Sequence, residues 1–539
     1  IPRWEYLVSA LIKMRPTCIS RLAATSIIAS SCRVRVRYAP SPTGYLHLGG
    51  LRTALFNYLF AKRNNGDFVL RIEDTDRARF VDGSGEQIAD ILRWARIEPT
   101  EGAYFGGGQH GPYFQSQRTD LYREKAAELV DRGEAYPCFC STERLSRLRD
   151  ELSRKGMPST YDRHCRSIPK DEAQRRISMG APHVIRFKAP LSHDGIVVED
   201  MVRGKITFGS SHVDDAILLK SDKHPTYHLA SVIDDHCMGI SHVLRGEEWL
   251  SSAPKHMLLF KALDWAPPVF AHLPLLLNVD RAKLSKRQQH ASVSYYVDRG
   301  FLPEAVINFV SLLGWNPKTT KEIFNLNELV NEFSLGNVQK GGAVVDESRM
   351  MWMNREHLRR RVPENLGIIT DEYAEIIFAV QNAAKATIPS LSGAMVNEKR
   401  LAKLIPAVVE HVDVAAEIGT NFPFLFSDPD LSSDAASTFL SSFWGTPSTM
   451  ILSNLIKGLS EIKEADWNPP TIKKELKKSL KVGQKVPFRS ALQLLRLAVT
   501  GTSIGPSIID IVCALERDIV LSRLKTLEFF VQEKSDETR

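Results

Sequence analysis

Residues 37–50 read RYAPSPTGYLHLGG, between the alternating RVRV and the apolar-periodic LRTALFNYLFAK. Alternation before the turn predicts a strand, and Leu48, Leu51, Leu55 and Leu59 then recur near the helical period. Between them two prolines and Gly44 make a constrained turn, because proline fixes φ and glycine permits positive φ. NNGD (64–67) ends the helix, and FVLRIEDTD (68–76) is a second strand running into acids. This is a βαβ opening, and its strand-to-helix turn lies at the carboxyl end of a parallel sheet, where α/β folds bind ligands. A helix N-terminus offers free N–H groups and a positive dipole end, so it favours phosphate. Gly49 and Gly50 leave the backbone open to close approach, and His47 can donate to a phosphate oxygen.

A second stretch bears on the same chemistry. RAKLSKRQQH (281–290) sets Lys283, Lys286 and Arg287 around Leu284 and Ser285. Beside a nucleotide-sized turn, such cations suit a polyphosphate whose departure develops negative charge.

The ordered words APSPTGYLHLG, RIEDTDRAR, GPYFQSQR, PTYHLASVIDDH, VLRGEEWL, KLSKR and AVTG resemble class I aminoacyl-tRNA synthetases, and among them the glutamyl-tRNA synthetase family of bacterial and organellar type. The resemblance is specific over 33–315 and looser to about 530, where FRSALQLLRLAVTGTSIGPSI (488–508) also resembles the family. It implies an α/β fold: a Rossmann-like catalytic domain over 33–118 and 227–280, split by an acceptor-stem-binding insertion at 119–226. A stem-contact linker at 281–364 and an all-helical anticodon-binding region at 365–539 follow. It implies ATP as substrate with Mg²⁺ on the phosphates, L-glutamate, and tRNA(Glu) as partner, with tRNA(Gln) left open as a second. A monomer without membrane contact is expected.

The resemblance also implies roles for residues. Arg37 and Arg245 match ligands of the substrate carboxylates, and guanidinium binds carboxylate bidentately. Glu73 matches the residue facing the substrate ammonium. Tyr38 and Ala39 belong to the same pocket, with Tyr227, His228, Leu229, Ala230 and Ser231 as its far wall. His47 and Glu248 match ATP contacts, and the loop Lys283, Leu284, Ser285, Lys286 and Arg287 closes over the phosphates. His47, Lys283 and Lys286 are the expected catalytic residues. Two departures stand out: the place of a second signature histidine is Gly50, and Ser231 stands where asparagine is expected.

Some members bind zinc in the insertion through Cys-x-Cys, a later Cys, and a histidine two residues on. Cys138, Cys140 and Cys165 match, but the fourth place is Ser167, with His164 and Tyr161 as poor substitutes. A structural zinc wants four good ligands, so no metal site is expected. FGGGQHGPY (105–113) lacks the flanking strand and helix of a dinucleotide loop and reads as a plain loop.

The rest of the chain sets bounds. At 539 residues it holds several structural units; 43% hydrophobic and 25% charged residues are globular proportions, and a net charge of +7 permits a polyanionic partner without demanding one. Seven scattered cysteines argue against a disulfide framework. Residues 1–36 carry Arg3, Lys13, Arg15, Arg21, Arg33 and Arg35 with Glu5 as sole acid, which reads as a transit peptide over 1–32 and a mitochondrial matrix location. PTYHLASVIDDHCMGISHVLRGEEWL (225–250) reads as strand, turn and strand. Lys473, Lys474, Lys477, Lys478, Lys481, Lys485 and Arg489 oppose an apolar stripe of Ile472, Leu476 and Leu480 and offer a phosphate-contacting face. The alternatives are a glutaminyl-tRNA synthetase, which resembles this catalytic half but carries a β-barrel anticodon domain, and an inactive tRNA-binding paralogue. A paralogue of that kind is expected to have lost His47 or the 283–287 loop, and both are present.

Overall fold

The structure, a computed structural model, describes residues 33–157, 159–191, 194–209, 213–285, 288–363, 368–432, 436, 438, 440, 448–480 and 487–537. The expected transit peptide, Lys286, Arg287, Lys481 and Lys485 lie outside the described residues. The chain divides into two compact units, one of residues up to 296 with 306–346, the other of 297–305 with 347 onward. The segment 281–364, expected as one linker, is shared between them.

The first unit opens as the sequence predicts. β1 (Arg35–Tyr38) leads through the proline turn into α1 (Leu48–Arg63), and β2 (Asp67–Leu70) returns parallel to β1 with Arg37 opposite Val69. Leu48, Leu51, Leu55 and Leu59 are fully buried, so the helical stripe faces the core. Gly44 takes φ +147, which its missing side chain permits. α2 (Ser84–Trp94) crosses to β3 (Glu101–Gly102), which pairs parallel with β2. Residues 105–113 form a loop, as expected, with a cis Gly111–Pro112 bond.

In the expected insertion α3 (Thr119–Asp131) precedes an antiparallel sheet of β4 (Ala135–Cys138), β5 (Val184–Phe187) and a later strand. Between β5 and that strand runs a hairpin, β6 (Ile196–Asp200) and β7 (Gly204–Phe208). The later strand is β8 (Ile217–Leu219). The hairpin does not stay with the insertion. It joins β9 (His242–Gly246) and β10 (Val269–Leu273) in a sheet ordered β7-β6-β10-β9. β9 and β10 are parallel, with Arg245 opposite His272, and Phe270 pairs with Asp200. A backbone bond from the Ser241 N–H to the Arg35 carbonyl, at 2.9 Å, places the entry of β9 against β1.

The stretch 225–250 corrects the sequence reading. It is a helix, α4 (Tyr227–Cys237), and then strand β9. Leu229, Ala230, Val232 and Ile233 are buried at helical spacing, and Gly239 at φ +64 carries the chain out of the helix. The short apolar run suits either state, and flanking polar residues mimic a turn.

The second unit is helical. α5 (Glu347–Arg361), α6 (Asp371–Thr387), α7 (Ser448–Ser460), α8 (Pro469–Ser479), α9 (Phe488–Thr500) and α10 (Arg517–Glu537) frame it. Their core includes Tyr373, Ile377, Leu452, Leu455, Leu494 and Leu524. Arg361 grips Glu304 and Glu375, and Arg523 donates to the carbonyls of Phe424 and Val499 at 2.9 Å. No strand occurs beyond residue 347 among the described residues. Ile472 and Leu476 of α8 are buried while Lys473, Lys474, Lys477 and Lys478 are exposed, as the stripe predicts.

Candidate active site

A cavity of about 400 Å³ opens at the carboxyl ends of β1 and β9. Its lining unites Arg37, Tyr38, Ala39, His47, Glu73, Tyr227, Arg245, Glu248, Lys283 and Leu284, all singled out in the sequence.

His47 is the N-cap of α1. Its Nδ1 accepts the Gly50 N–H at 3.1 Å. In the neutral ring the proton is therefore on Nε2. Leu46 and His47 are held from outside: the Val293 N–H donates to the Leu46 carbonyl at 3.0 Å, and Gln87 accepts the Leu46 N–H at 3.1 Å. Gly50 has a steric explanation. A Cβ there would stand 2.7 Å from both Tyr38 Oη and Leu46 Cδ1, so a larger residue requires those side chains to shift. Lys283 and Leu284 reach the cavity because the Leu284 N–H donates to the Leu276 carbonyl at 2.9 Å. Ser285 is exposed and does not line it. Glu248 folds back on Gly246, where any Cβ would overlap its carboxylate.

At the other end lies a buried charge cluster. Arg37 Nε donates to Asp235 at 3.1 Å, and Arg71 meets Asp235 at 2.8 Å, Glu73 at 3.2 Å and Asp234 at 3.7 Å. Asp234 also takes Arg118, Gln115 and the Tyr122 hydroxyl. Burial pushes Glu73 up to about 7, against the pull of Arg71 and Arg37, whereas the same two arginines outweigh burial at Asp235 and hold it below the usual carboxylate range. Arg71 is shared among three acids, so Glu73 is the least neutralised.

Arg245 is buried without an acidic partner among the described residues. Its contacts are Tyr227 Oη at 3.0 Å, imidazole nitrogens of His272 and His256 at 3.0 and 3.3 Å, and the Trp249 carbonyl at 3.2 Å. Tyr227 accepts from Arg245, which leaves its own O–H to donate. A buried cation that no acid neutralises awaits an anion.

Of the expected far wall only Tyr227 lines the cavity. Leu229, Ala230 and Ser231 are fully buried on the core side of α4, and His228 turns to His256. Helical rotation separates Tyr227 from Leu229 and Ser231, which the alternation of a strand would have kept on one face. Ser231 Oγ is buried with no hydrogen-bond partner among the described residues.

Residues 33–352 match the family described as tRNA synthetases class I (E and Q), catalytic domain, and 379–527 match an anticodon binding domain. A protein of Chlorobaculum parvum named glutamate–tRNA ligase is 41% identical over 504 residues, 91% of this chain and 97% of its own. Another of that name from Chloroherpeton thalassium is 40% identical with the same coverage. The crystal structure of a glutamate tRNA ligase from Elizabethkingia meningosepticum in complex with its amino acid superposes with a TM-score of 0.80 at 33% identity, covering 92% of this chain and 99% of its own. The chain belongs to the glutamyl-tRNA synthetase family of class I.

Several site groups of this synthetase escaped sequence reasoning. Arg52 lines the cavity from α1, held by the carbonyls of Pro274 and Leu313, and burial lowers it to about 10. A charge beside Leu51 on a buried stripe was the available signal. Asp235 and Asp234, inside VIDDH, hold Arg37 and Arg71 in place, and His272 and Asp200 stand behind Arg245. These pairings cross from 27 to 198 positions and leave no local pattern.

The insertion cysteines of the synthetase come together. The sulfurs of Cys138, Cys140 and Cys165 lie within 4.8 Å of one another, and Tyr161 Oη is 3.3 and 3.5 Å from the first two. Ser167, the expected fourth place, is exposed, and Ile168 and Val184 pack on the group.

Proposed function

We propose that this chain joins L-glutamate to tRNA(Glu) through glutamyl-adenylate. The observation that carries the reading is Arg245, a buried guanidinium free of acidic partners among the described residues, in one cavity with Arg37 and Glu73. Two guanidinium groups and one acid suit an amino acid with two carboxylates and an ammonium. The names of the relatives support glutamate and its tRNA. A glutamate carboxylate oxygen attacks the α-phosphorus of ATP. The bond from that phosphorus to its bridging oxygen breaks, and pyrophosphate leaves with the electron pair. His47 Nε2–H, Lys283 and the N-terminus of α1 meet the developing charge. A hydroxyl of the terminal adenosine of tRNA then attacks the activated carbonyl and releases AMP. Mg²⁺ enters with the triphosphate.

ATP–pyrophosphate exchange, run throughout with tRNA(Glu) present, tests the reading, with charging of purified tRNA(Glu) and tRNA(Gln) in parallel. Glutamate should drive exchange and glutamine should not; preference for glutamine would overturn the assignment. The same assay carries a pH signature. Glu73 titrates near 7 in the free pocket, and an arriving ammonium favours its ionised form. Below pH 7 binding must displace a proton, so the KM for glutamate should rise by up to about tenfold per pH unit while that for ATP stays level. A flat glutamate KM between pH 6 and 8 would remove Glu73 from the ammonium site.

The mitochondrial matrix is the proposed place of work. The support is the basic composition of residues 1–36, with Glu5 the only acid. A fluorescent reporter fused behind residues 14–36 should enter mitochondria, and a cytosolic or plastid pattern would refute this.

A further inference from the structure

The groups behind Arg245 form a chain that the reaction itself does not use. A guanidinium has five N–H donors. Four of them are taken: Nε–H by His272 Nε2, two from one terminal nitrogen by Tyr227 Oη and His256 Nδ1, and one from the other by the Trp249 carbonyl. Every acceptor is uncharged, which leaves one N–H and the whole positive charge for a ligand.

An imidazole nitrogen accepts only if the ring proton sits on the other nitrogen. His272 Nδ1 is 2.6 Å from Asp200 Oδ2, and a carboxylate only accepts, so Nδ1 carries the proton. Asp200 is fixed in turn: Oδ1 takes the N–H groups of Val202 and Arg203 at 2.9 and 2.8 Å, and Oδ2 takes the His272 N–H at 3.0 Å. On the other side His256 accepts from Arg245 through Nδ1, so its proton lies on Nε2, 3.2 Å from His228 Nδ1. Burial holds both His256 and His272 below the ordinary histidine range; the Arg245 charge adds to this, while Asp200 pulls His272 the other way.

We infer that Asp200 and His272, with His256 opposite, are positioning residues that hold Arg245 by neutral acceptors alone and so make the pocket select a carboxylate over its amide. An acidic brace placed directly on Arg245 would neutralise it and admit glutamine as readily as glutamate. With a neutral brace, an amide leaves the buried cation uncompensated. Asp200 supplies the negative charge one ring away, where it sets the tautomer without consuming the guanidinium. The inference rests on the glutamate reading above.

Asp200→Asn tests it. The asparagine carbonyl keeps the Val202 and Arg203 contacts and takes over the His272 N–H, already 3.3 Å from Oδ1, while its NH₂ turns on His272 Nδ1. The ring proton then moves to Nε2, donor against donor with Arg245. In ATP–pyrophosphate exchange the variant should raise the KM for glutamate at least about tenfold, with the KM for ATP and kcat within about threefold, and lose about tenfold of its preference for glutamate over glutamine. Adding His272→Gln, whose carbonyl replaces the Nε2 acceptor, should recover most of that loss. If folded D200N keeps its glutamate KM, or if its ATP and glutamate parameters fall together without recovery in D200N/H272Q, the inference is wrong. Should D200N fail to fold, His272→Gln and His272→Leu carry the test: they should differ at least about tenfold in glutamate KM, and equal values overturn it. Wild-type protein without glutamate-dependent exchange would overturn the proposed function, and this inference with it.

Discussion

Replacing His47 by asparagine is expected to slow adenylate formation by about ten- to a thousandfold, the scale of one preorganised donor lost from a charge-developing site. The choice of asparagine follows from the two jobs of the ring. Nδ1 caps α1 by accepting the Gly50 N–H at 3.1 Å, and Nε2 carries the ring proton, which in the proposed reaction meets the phosphate. Asparagine is a good N-cap and lacks the far donor, so it removes the second job and keeps the first. His47→Ala removes both. It should match the asparagine variant in rate and in addition lose about 1 kcal/mol of stability, read as a lower Tm. The contact strengthens as pyrophosphate leaves, so kcat should fall more than the KM for ATP rises. Single-turnover measurement of adenylate at saturating ATP checks this. Wild-type rates in both variants would reduce the strand–turn–helix to a packing motif.

Arg245→Ala comes next in size. Hydrogen bonds to a charged group contribute about 1.5–3 kcal/mol, so the KM for glutamate should rise roughly ten- to 150-fold. ATP binding, which the proposed reaction assigns to His47 and Lys283, should barely change. Arg245→Lys should rescue little: an ammonium has three donors on a point charge and cannot reach the four neutral acceptors while presenting a fifth bond to substrate. Glutamate KM from pyrophosphate exchange reads both variants, and an unchanged value in Arg245→Ala would remove glutamate as the substrate.

How far the site was legible depends on the kind of signal each residue left. The turn, α1 and β2 follow from local periodicity, and the helical second unit follows likewise. Arg37, Glu73, His47, Glu248, Lys283 and Arg245 met in one cavity because each sits in a motif with its own local spacing. The run at 225–250 misled because a short buried helix and a buried strand carry the same apolar residues. The far wall at 227–231 came separately, carried over whole from the family resemblance, and of it Leu229, Ala230 and Ser231 lie buried away from the cavity. Asp200 was invisible for another reason: its partner His272 is 72 positions away, and the sheet pairing that joins them has no sequence period.

The β6–β7 hairpin bears on how this protein could be rebuilt. Residues 119–226, the block expected from the sequence to hold an RNA stem, invite exchange between relatives as one cassette. Cut at those ends, the cassette would take Asp200 with it and leave His272 facing an unrelated side chain. The usable joints lie elsewhere, after β5 and ahead of β6, and again between β7 and β8. A chimaera that exchanges only 119–191 and 213–226 keeps the amino-acid gate with its own strands, whereas one that exchanges the whole block transplants part of the gate along with the grip.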